Sequence, residues 1–371
     1  MTEYIHQRGD WPTFHWSSET LAGPLADIRH RQGRLLGRME GLGFSLRREA
    51  QLETLTLDVL KSSEIEGERL PADQVRSSIA RRLGIETAGA RPAEREVEGV
   101  VEMMLDATQS FHEPLTQERL SAWHGALFST GRSGMRKVRV GAWRADEAGP
   151  MRVVSGPIGK ERVHYEAPAA SLLDREMSEF LTWANNGADK TDGVLRAALA
   201  HLWFLTIHPF DDGNGRIARA IAHWALARTE GSSQRFYSMS AQILQERSAY
   251  YDILERMQKG TLDITPWVEW FLGCLGRAFE GTEVTLAAVL RKARFWESHA
   301  NVTINERQRA VLNRLLDGLT GKLTTSKWAT LAKSSHDTAL RDIRDLVEQG
   351  VLRKDDGGGR STSYSLRDIE W

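Results

Sequence analysis

The sequence predicts a mainly α-helical protein. A central helical domain carries one inserted β-hairpin, a helical subdomain precedes it, and a small winged helix-turn-helix unit follows. Three observations carry this prediction. Apolar residues recur three and four apart over most of the chain, and strand-like alternation is confined to a few short stretches. The final segment then changes to short helices followed by two strands around a glycine-rich tip. At 371 residues the chain exceeds one ordinary core, so more than one folding unit is expected.

Taken in order, Leu21, Leu25, Ile28, Leu35, Met39 and Leu42, then Leu52, Leu55 and Val59, predict a helical hairpin over 18–61, broken near "GLGF". Gly67 reads as a helix stop, Pro71 excludes continuation, and "RLGIETAGARPAERE" reads as an exposed connection. A helix follows from Arg95 through Val100, Met103, Met104 and Ala107, and Thr116 caps the next. The stretch "MRVVSGPIGKERVHYEA" at about 151–167 reads as a β-hairpin with a mobile tip. "VLRAALAHLWFLTI" is apolar on nearly every face, as in a helix at the centre of a bundle. "GRIARAIAHWALARTEG" resumes helical spacing with Ile217, Ile221, Trp224 and Ala225 inward and stops at Gly231. Further helices are expected over "QERSAYYDILERMQKG", over "TPWVEWFLGCLGRAF" and at roughly 281–299. The expected division is a helical domain at 1–94, the central domain at 95–275, a linker helix at 276–303 and the winged-helix unit at 304–371.

Composition narrows the function. Apolar residues at 41%, charged residues at 27% and 10 prolines describe a globular protein rather than a disordered or fibrous one. No stretch approaches the roughly 18 apolar residues of a membrane helix, and the N-terminal residues lack the order of a signal peptide, so a cytoplasmic protein without a membrane partner is expected. A single cysteine, Cys274, excludes an internal disulfide and a thiolate metal cluster and reads as a packed thiol. Net charge is −1 from 49 basic and 50 acidic residues, which leaves any nucleic-acid or membrane attraction to a local patch.

The chemistry concentrates in "HPFDDGNGRIAR", residues 208–219, directly after the buried helix. The backbone N–H groups of Gly213, Asn214 and Gly215 at a helix start form a concave donor site where the helix dipole favours anions. Two glycines let a ligand approach the backbone, and Asn214 adds an amide donor. Arg216 and Arg219, three apart, leave one helix face and can converge on a di- or triphosphate. Asp212 can hold a Mg²⁺ that bridges phosphate oxygens, and His208 can take a proton from an attacking hydroxyl. Singly, each part has a plain explanation: a helix-end histidine, a turn, a solvated arginine pair. Together on a corner near the core, they would strand two arginines and an aspartate without a counter-anion, which is costly. Asp211 reads equally as a turn cap. A metallohydrolase built on His201, His208 and Asp212 is conceivable, but the arginines argue against it.

This stretch closely resembles the signature of the Fic (Fido) family, H-x-F-x-[DE]-G-N-G-R-x-x-R, matching it at His208, Phe210, Asp212, Gly213, Asn214, Gly215, Arg216 and Arg219. The resemblance covers roughly 95–275 and implies a helical Fic core with a β-hairpin flap. It implies an AMP transferase that moves AMP from ATP to a Ser, Thr or Tyr hydroxyl of a protein target, itself included, with release of pyrophosphate. His208 would then be the base and Asp212 the Mg²⁺ ligand. Asn214 and the glycine amides would hold the α-phosphate, Arg216 and Arg219 the β- and γ-phosphates, and Phe210 would anchor the loop. The hairpin, with Val153, Val154, Ser155 and Gly156, is similar to the family flap, which pairs with an extended target segment by strand addition. Tyr250 and Tyr251 resemble a tyrosine pair near the adenine.

Upstream, "SSEIEGE" places Ser62, Glu66 and Gly67 on the family's inhibitory pattern, [ST]-x-x-x-E-[GN]. By that resemblance Glu66 would pair with Arg219 in place of the γ-phosphate. Removal of AMP from a target, and a homodimer, are also compatible with the resemblance. The rival reading is a transcription regulator whose winged helix binds DNA beside a nucleotide-sensing domain. Lys333, Arg341, Arg344, Arg353, Lys354 and Arg360 are balanced by Asp337, Asp342, Asp345, Glu348, Asp355 and Asp356. A neutral reading head is a poor general DNA binder, so protein contact or dimerisation is the other expected role of that unit.

Overall fold

The computed structural model describes residues 4–85, 92–147, 149–157, 159–186, 191–316, 319, 321–355 and 362–367. The chain divides into two compact units, Met1–Thr282 and Glu283–Trp371.

The first unit is mainly helical. Its helices are α1 (Ser18–Glu40), α2 (Phe44–Ile65), α3 (Ala72–Arg82), α4 (Arg95–Gln109), α5 (Gln117–Leu127), α6 (Leu173–Asn185), α7 (Gly193–Ile207), α8 (Asn214–Glu230), α9 (Met239–Gln245) and α10 (Arg247–Gln258). At its centre α7 packs on α8, and α6, α4, α5 and α2 lie against this pair. Every residue of α7 from Val194 to Ile207 except Arg196 is buried, as its unbroken apolar sequence requires. Helices before residue 95 belong to the same compact unit: α2 packs on α3, α4, α8 and α9. Asp58 Oδ2 on α2 and His223 Nε2 on α8 meet at 2.7 Å in the core, which ties α2 to the motif helix. Burial works against the Asp58 charge, but His223, Ser238 and Ser240 outweigh it and hold the carboxyl at about 2.

Two hairpins interrupt the helices. The expected one is present as β3 (Arg152–Ser155) and β4 (Arg162–Glu166), antiparallel, with a bulge between Val153 and Val154. Gly156 turns the chain out of β3 at φ 102°, which favours glycine. The other, β1 (Arg132–Ser133) with β2 (Arg136–Lys137), was not foreseen, because strands of two residues leave no alternation to read.

The helix α11 (Thr265–Ser298) is continuous where the sequence reads two, and the division between units falls within it. Gly281 lies within it, and Phe271, Leu275, Phe279 and Leu286 are buried. Cys274 is a buried thiol, as expected.

The second unit continues with α12 (Glu306–Leu316), β5 (Leu323–Thr324), α13 (Thr325–Ala332), α14 (His336–Glu348), β6 (Leu352–Lys354) and β7 (Ser363–Leu366). Its strands form one antiparallel sheet in the order β5-β7-β6. Phe295, Leu312, Trp328, Ile343, Leu346 and Val351 make its core. Arg307 clasps Asp342 with two hydrogen bonds, of 2.7 and 2.8 Å. The glycine-rich tip and the whole "ETAGAR" stretch of the connection lie outside the described residues. Among the described residues no helix is long and apolar enough to cross a membrane.

Candidate nucleotide site

The motif is a corner between α7 and α8. His208 ends α7 in the left-handed region at φ 53° and ψ 55°, an unusual backbone for a residue with a Cβ, costing about 1 kcal/mol. Arg144 holds it there. Its Nε donates to the His208 carbonyl at 2.9 Å, its backbone N–H donates to Pro209 O at 2.8 Å, and its guanidinium also donates to Pro168 O. Asn214 braces the other side of the turn: Phe210 N–H donates to Asn214 Oδ1 at 3.0 Å, and Asn214 Nδ2 donates to Phe210 O at 2.8 Å. The amide oxygen and one of the two Nδ2 hydrogens are therefore engaged within the loop, so the side chain positions the turn and keeps a second N–H. Phe210 is fully buried and stacks on His124, as a loop anchor should.

His208 Nδ1 lies 3.2 Å from Leu205 O, a carbonyl that can only accept, so Nδ1 carries the hydrogen. Burial pushes the imidazole down to about 4, with Arg144 adding to the effect against Asp212 and Glu66. The neutral ring thus has a free lone pair on Nε2. Asp212 accepts from Ser133 Oγ on β1 and from Gly213 N. Asp211 accepts from Arg139 N at 2.8 Å, so it anchors the β1–β2 hairpin.

Gly213 starts α8 at φ 78°, and a Cβ there would meet Phe128 at 2.8 Å. Gly215 is more telling. A Cβ on it would lie 2.2 Å from Glu66 Oε1, so the Glu66 carboxylate rests directly on bare backbone at the helix start. That carboxylate also accepts from Arg219 at 2.8 Å. Arg219 is 1% exposed and donates in addition to Ser62 Oγ at 2.9 Å and Ser62 O at 2.8 Å. Burial works against its charge, and Glu66 more than offsets this. Arg219 Nη1 is buried without a hydrogen-bond partner. Ser62 and Glu66 therefore meet at Arg219, and Gly67, at φ 86°, turns the chain just after α2.

Glu68 was missed. It pairs with Arg216 at 2.5 Å, and the Arg216 guanidinium also stacks over Phe128 at 5.2 Å. Burial, with Asp212, Glu66 and Glu96 nearby, holds the Glu68 carboxyl above its usual range against the pull of Arg216. Its only sequence signal is its place two residues after Glu66, across a left-handed glycine.

Glu66, His208 and the start of α8 open on a cleft of about 790 Å³. Glu66, His208 and Asp212 to Gly215 line one side, Arg136 and the flap residues Met151 to Ser155 another, and Tyr250 and Tyr251 a third. The two tyrosines part company. Tyr251 is 40% exposed, with Arg247 over its ring at 5.6 Å, and suits a planar ligand. Tyr250 is buried beside Trp270, and its hydroxyl meets His201 Nε2 at 2.9 Å. That bond places His201 in the core rather than in a metal set, and among the described residues no group of three His, Cys, Asp or Glu side chains is poised around a metal. On the flap, Val154 is exposed opposite Val163, Val153 is half-buried, and the free edge of β3 borders the cleft.

Comparison with known proteins follows this geometry. Residues 114–226 match a model described as the Fic/DOC family, and residues 4–85 match a domain of unknown function, DUF4172. Over 114 residues, 30% of this chain, the sequence is 34% identical to "Protein adenylyltransferase Fic" of Aedes aegypti, covering 21% of that protein. Over 224 residues, 60% of this chain, it is 26% identical to "Protein adenylyltransferase fic-1" of Caenorhabditis briggsae, covering 40% of that protein. The matched part is thus well under half the length of either relative. Among solved structures, a Fic family protein from Desulfovibrio desulfuricans is similar with a TM-score of 0.55 and 21% identity, over 96% of this chain and 98% of that one. A Fic domain containing signaling protein from Bacteroides thetaiotaomicron gives 0.52 and 23% over 72% and 96%. These two likenesses are of fold.

Proposed function

This chain is a Fic-family protein, and on that premise we propose that it transfers AMP from ATP to a hydroxyl of a protein target and that Glu66 restrains it. One observation carries the reading. A carboxylate already rests on Gly215 and a buried arginine, so the start of α8 is built to receive an anion. The Glu66 side chain stays 30% exposed on the cleft side, so a competing anion can reach and displace it.

In this reading the amides of Gly213 to Gly215 hold the α-phosphate, and Arg216 and Arg219 take the β- and γ-phosphates once Glu68 and Glu66 withdraw. Tyr251 flanks the base. The target lies along β3, its main chain paired with the flap edge from Val153 to Gly156. The target hydroxyl oxygen bonds to the α-phosphorus, the bond to the bridging oxygen breaks, and pyrophosphate leaves. The hydroxyl proton passes to His208 Nε2, which the Nδ1–Leu205 bond keeps free to accept it. Asp212 suits Mg²⁺, since a single carboxylate at the cleft edge beside a phosphate site is the donor set that ion prefers. The ion would neutralise phosphate charge there.

The test is AMP transfer from labelled ATP by the full chain. Glu66→Gly should raise it, and His208→Ala should largely remove transfer to an added protein in either background. Equal rates with and without Glu66 would remove the restraint, and undiminished transfer to an added protein without His208 would remove the base.

A further inference from the structure

The flap carries a second cluster of reactive groups. Ser155 ends β3, and its Oγ lies 2.5 Å from Nε2 of His164 on β4. His164 Nδ1 in turn lies 2.5 Å from Oε2 of Glu255 on α10. Glu255 also accepts from Arg162 at 2.9 Å and from Lys259 at 2.6 Å. Burial opposes its charge, but these donors prevail and hold the carboxyl at about 2, so it is an anion near neutral pH. An anion only accepts, so His164 Nδ1 carries the hydrogen and Nε2 is the ring nitrogen that faces the serine hydroxyl as acceptor. A hydroxyl bonded to an imidazole that is itself oriented by a carboxylate is an activated nucleophile.

A tether for the flap would need only the pairs to Glu255. Here the chain of bonds ends on a hydroxyl, and Ser155, His164 and Glu255 all line the same cleft as His208, Asp212 and the glycine amides. We propose that Ser155 is an acceptor of AMP, so that the protein modifies its own flap. This rests on the transfer activity proposed above. Ser155 Oγ bonds to the α-phosphorus of ATP, the bond from that phosphorus to the bridging oxygen breaks, and pyrophosphate leaves. The Oγ proton passes to His164 Nε2, and Glu255 balances the imidazolium. The adduct then sits on the strand edge next to Val154, where an extended target would pair, so modification limits the enzyme's own access to targets.

The experiment uses the full chain with Glu66→Gly, incubated with ATP and Mg²⁺ and digested with trypsin. The peptide "VVSGPIGK", residues 153–160, contains Ser155 as its one hydroxyl side chain, so its mass assigns the site. It should gain one AMP. Adding His164→Gln should slow that gain at least about tenfold, with circular dichroism and the melting midpoint checking that the fold is kept. Glu255→Gln, which leaves the imidazole in place, should slow it less. AMP on other peptides but not on this one would overturn Ser155 as acceptor and leave the transfer reading standing. AMP on no peptide, with no transfer to any added protein, would overturn both. An adduct formed on this peptide equally fast in a folded His164→Gln protein would overturn the relay.

Discussion

The two sides of the cleft are held by opposite means. On the α8 side, Arg216 and Arg219 are buried, and each is matched by a carboxylate from the turn after α2. On the flap side, the strands are exposed and are tied down at Glu255 on α10 and by the Arg152–Glu166 pair. The first arrangement is preformed and already filled by the chain's own anions. The second is open, with an unpaired strand edge and outward-facing Val154. A site that binds one fixed ligand and one variable polypeptide calls for this asymmetry: buried, paired charge gives geometric precision, whereas a free edge recognises main chain and tolerates sequence.

Substitutions on each side should separate these roles. The largest effect is expected at His208, between them. His208→Ala should lower transfer to an added protein by about 10²- to 10⁴-fold, read with labelled ATP, with little change in ATP binding. The pH profile sharpens this assignment. A free histidine near 6.5 would lose its base form on mild acidification, but His208 lies at about 4. Protonation begins only as pH falls toward that value, so kcat/KM should show no acid limb near 6.5.

Smaller shifts are expected on the α8 side. Glu68→Gln leaves Arg216 without its anion and should lower KM for ATP a few-fold with kcat nearly unchanged, because the competition is for ground-state binding. An unchanged KM would show that Arg216 does not meet the nucleotide. The smallest effect is expected on the flap. Glu255→Gln weakens surface pairs worth under about 1 kcal/mol each, so KM for a protein target should rise by roughly twofold while ATP binding stays the same. If ATP binding changed instead, the two sides would not be separate.

The site was legible where its residues are contiguous. Residues 208–219 carry their chemistry in one stretch, because a helix start, two glycines and two arginines three apart fix their own local geometry. Glu66 was legible by resemblance to a known pattern. Arg144, Ser133 and Glu68 were not, because each acts through a partner 64 or more positions away that only folding brings near. Tyr250 and Tyr251 show the limit of pattern within one helix. They are adjacent in sequence and both border the cleft, yet Tyr250 is buried with its hydroxyl on the core histidine while Tyr251 is exposed, and only the packing of α10 decides which. The helical class and the α7–α8 centre followed from the apolar run. The extent of α11 did not: the sequence reads two helices where the chain forms one, Thr265–Ser298.

The central claim is that Glu66 and the terminal phosphate of ATP compete for Arg219. Its most direct test is a parallel measurement of AMP transfer from ATP and Mg²⁺ by the native chain and by Glu66→Gly, at equal protein and matched folding. The account predicts at least about a tenfold higher rate for the variant, which corresponds to about 1.4 kcal/mol of relieved competition. Equal rates, or a slower variant, would contradict it.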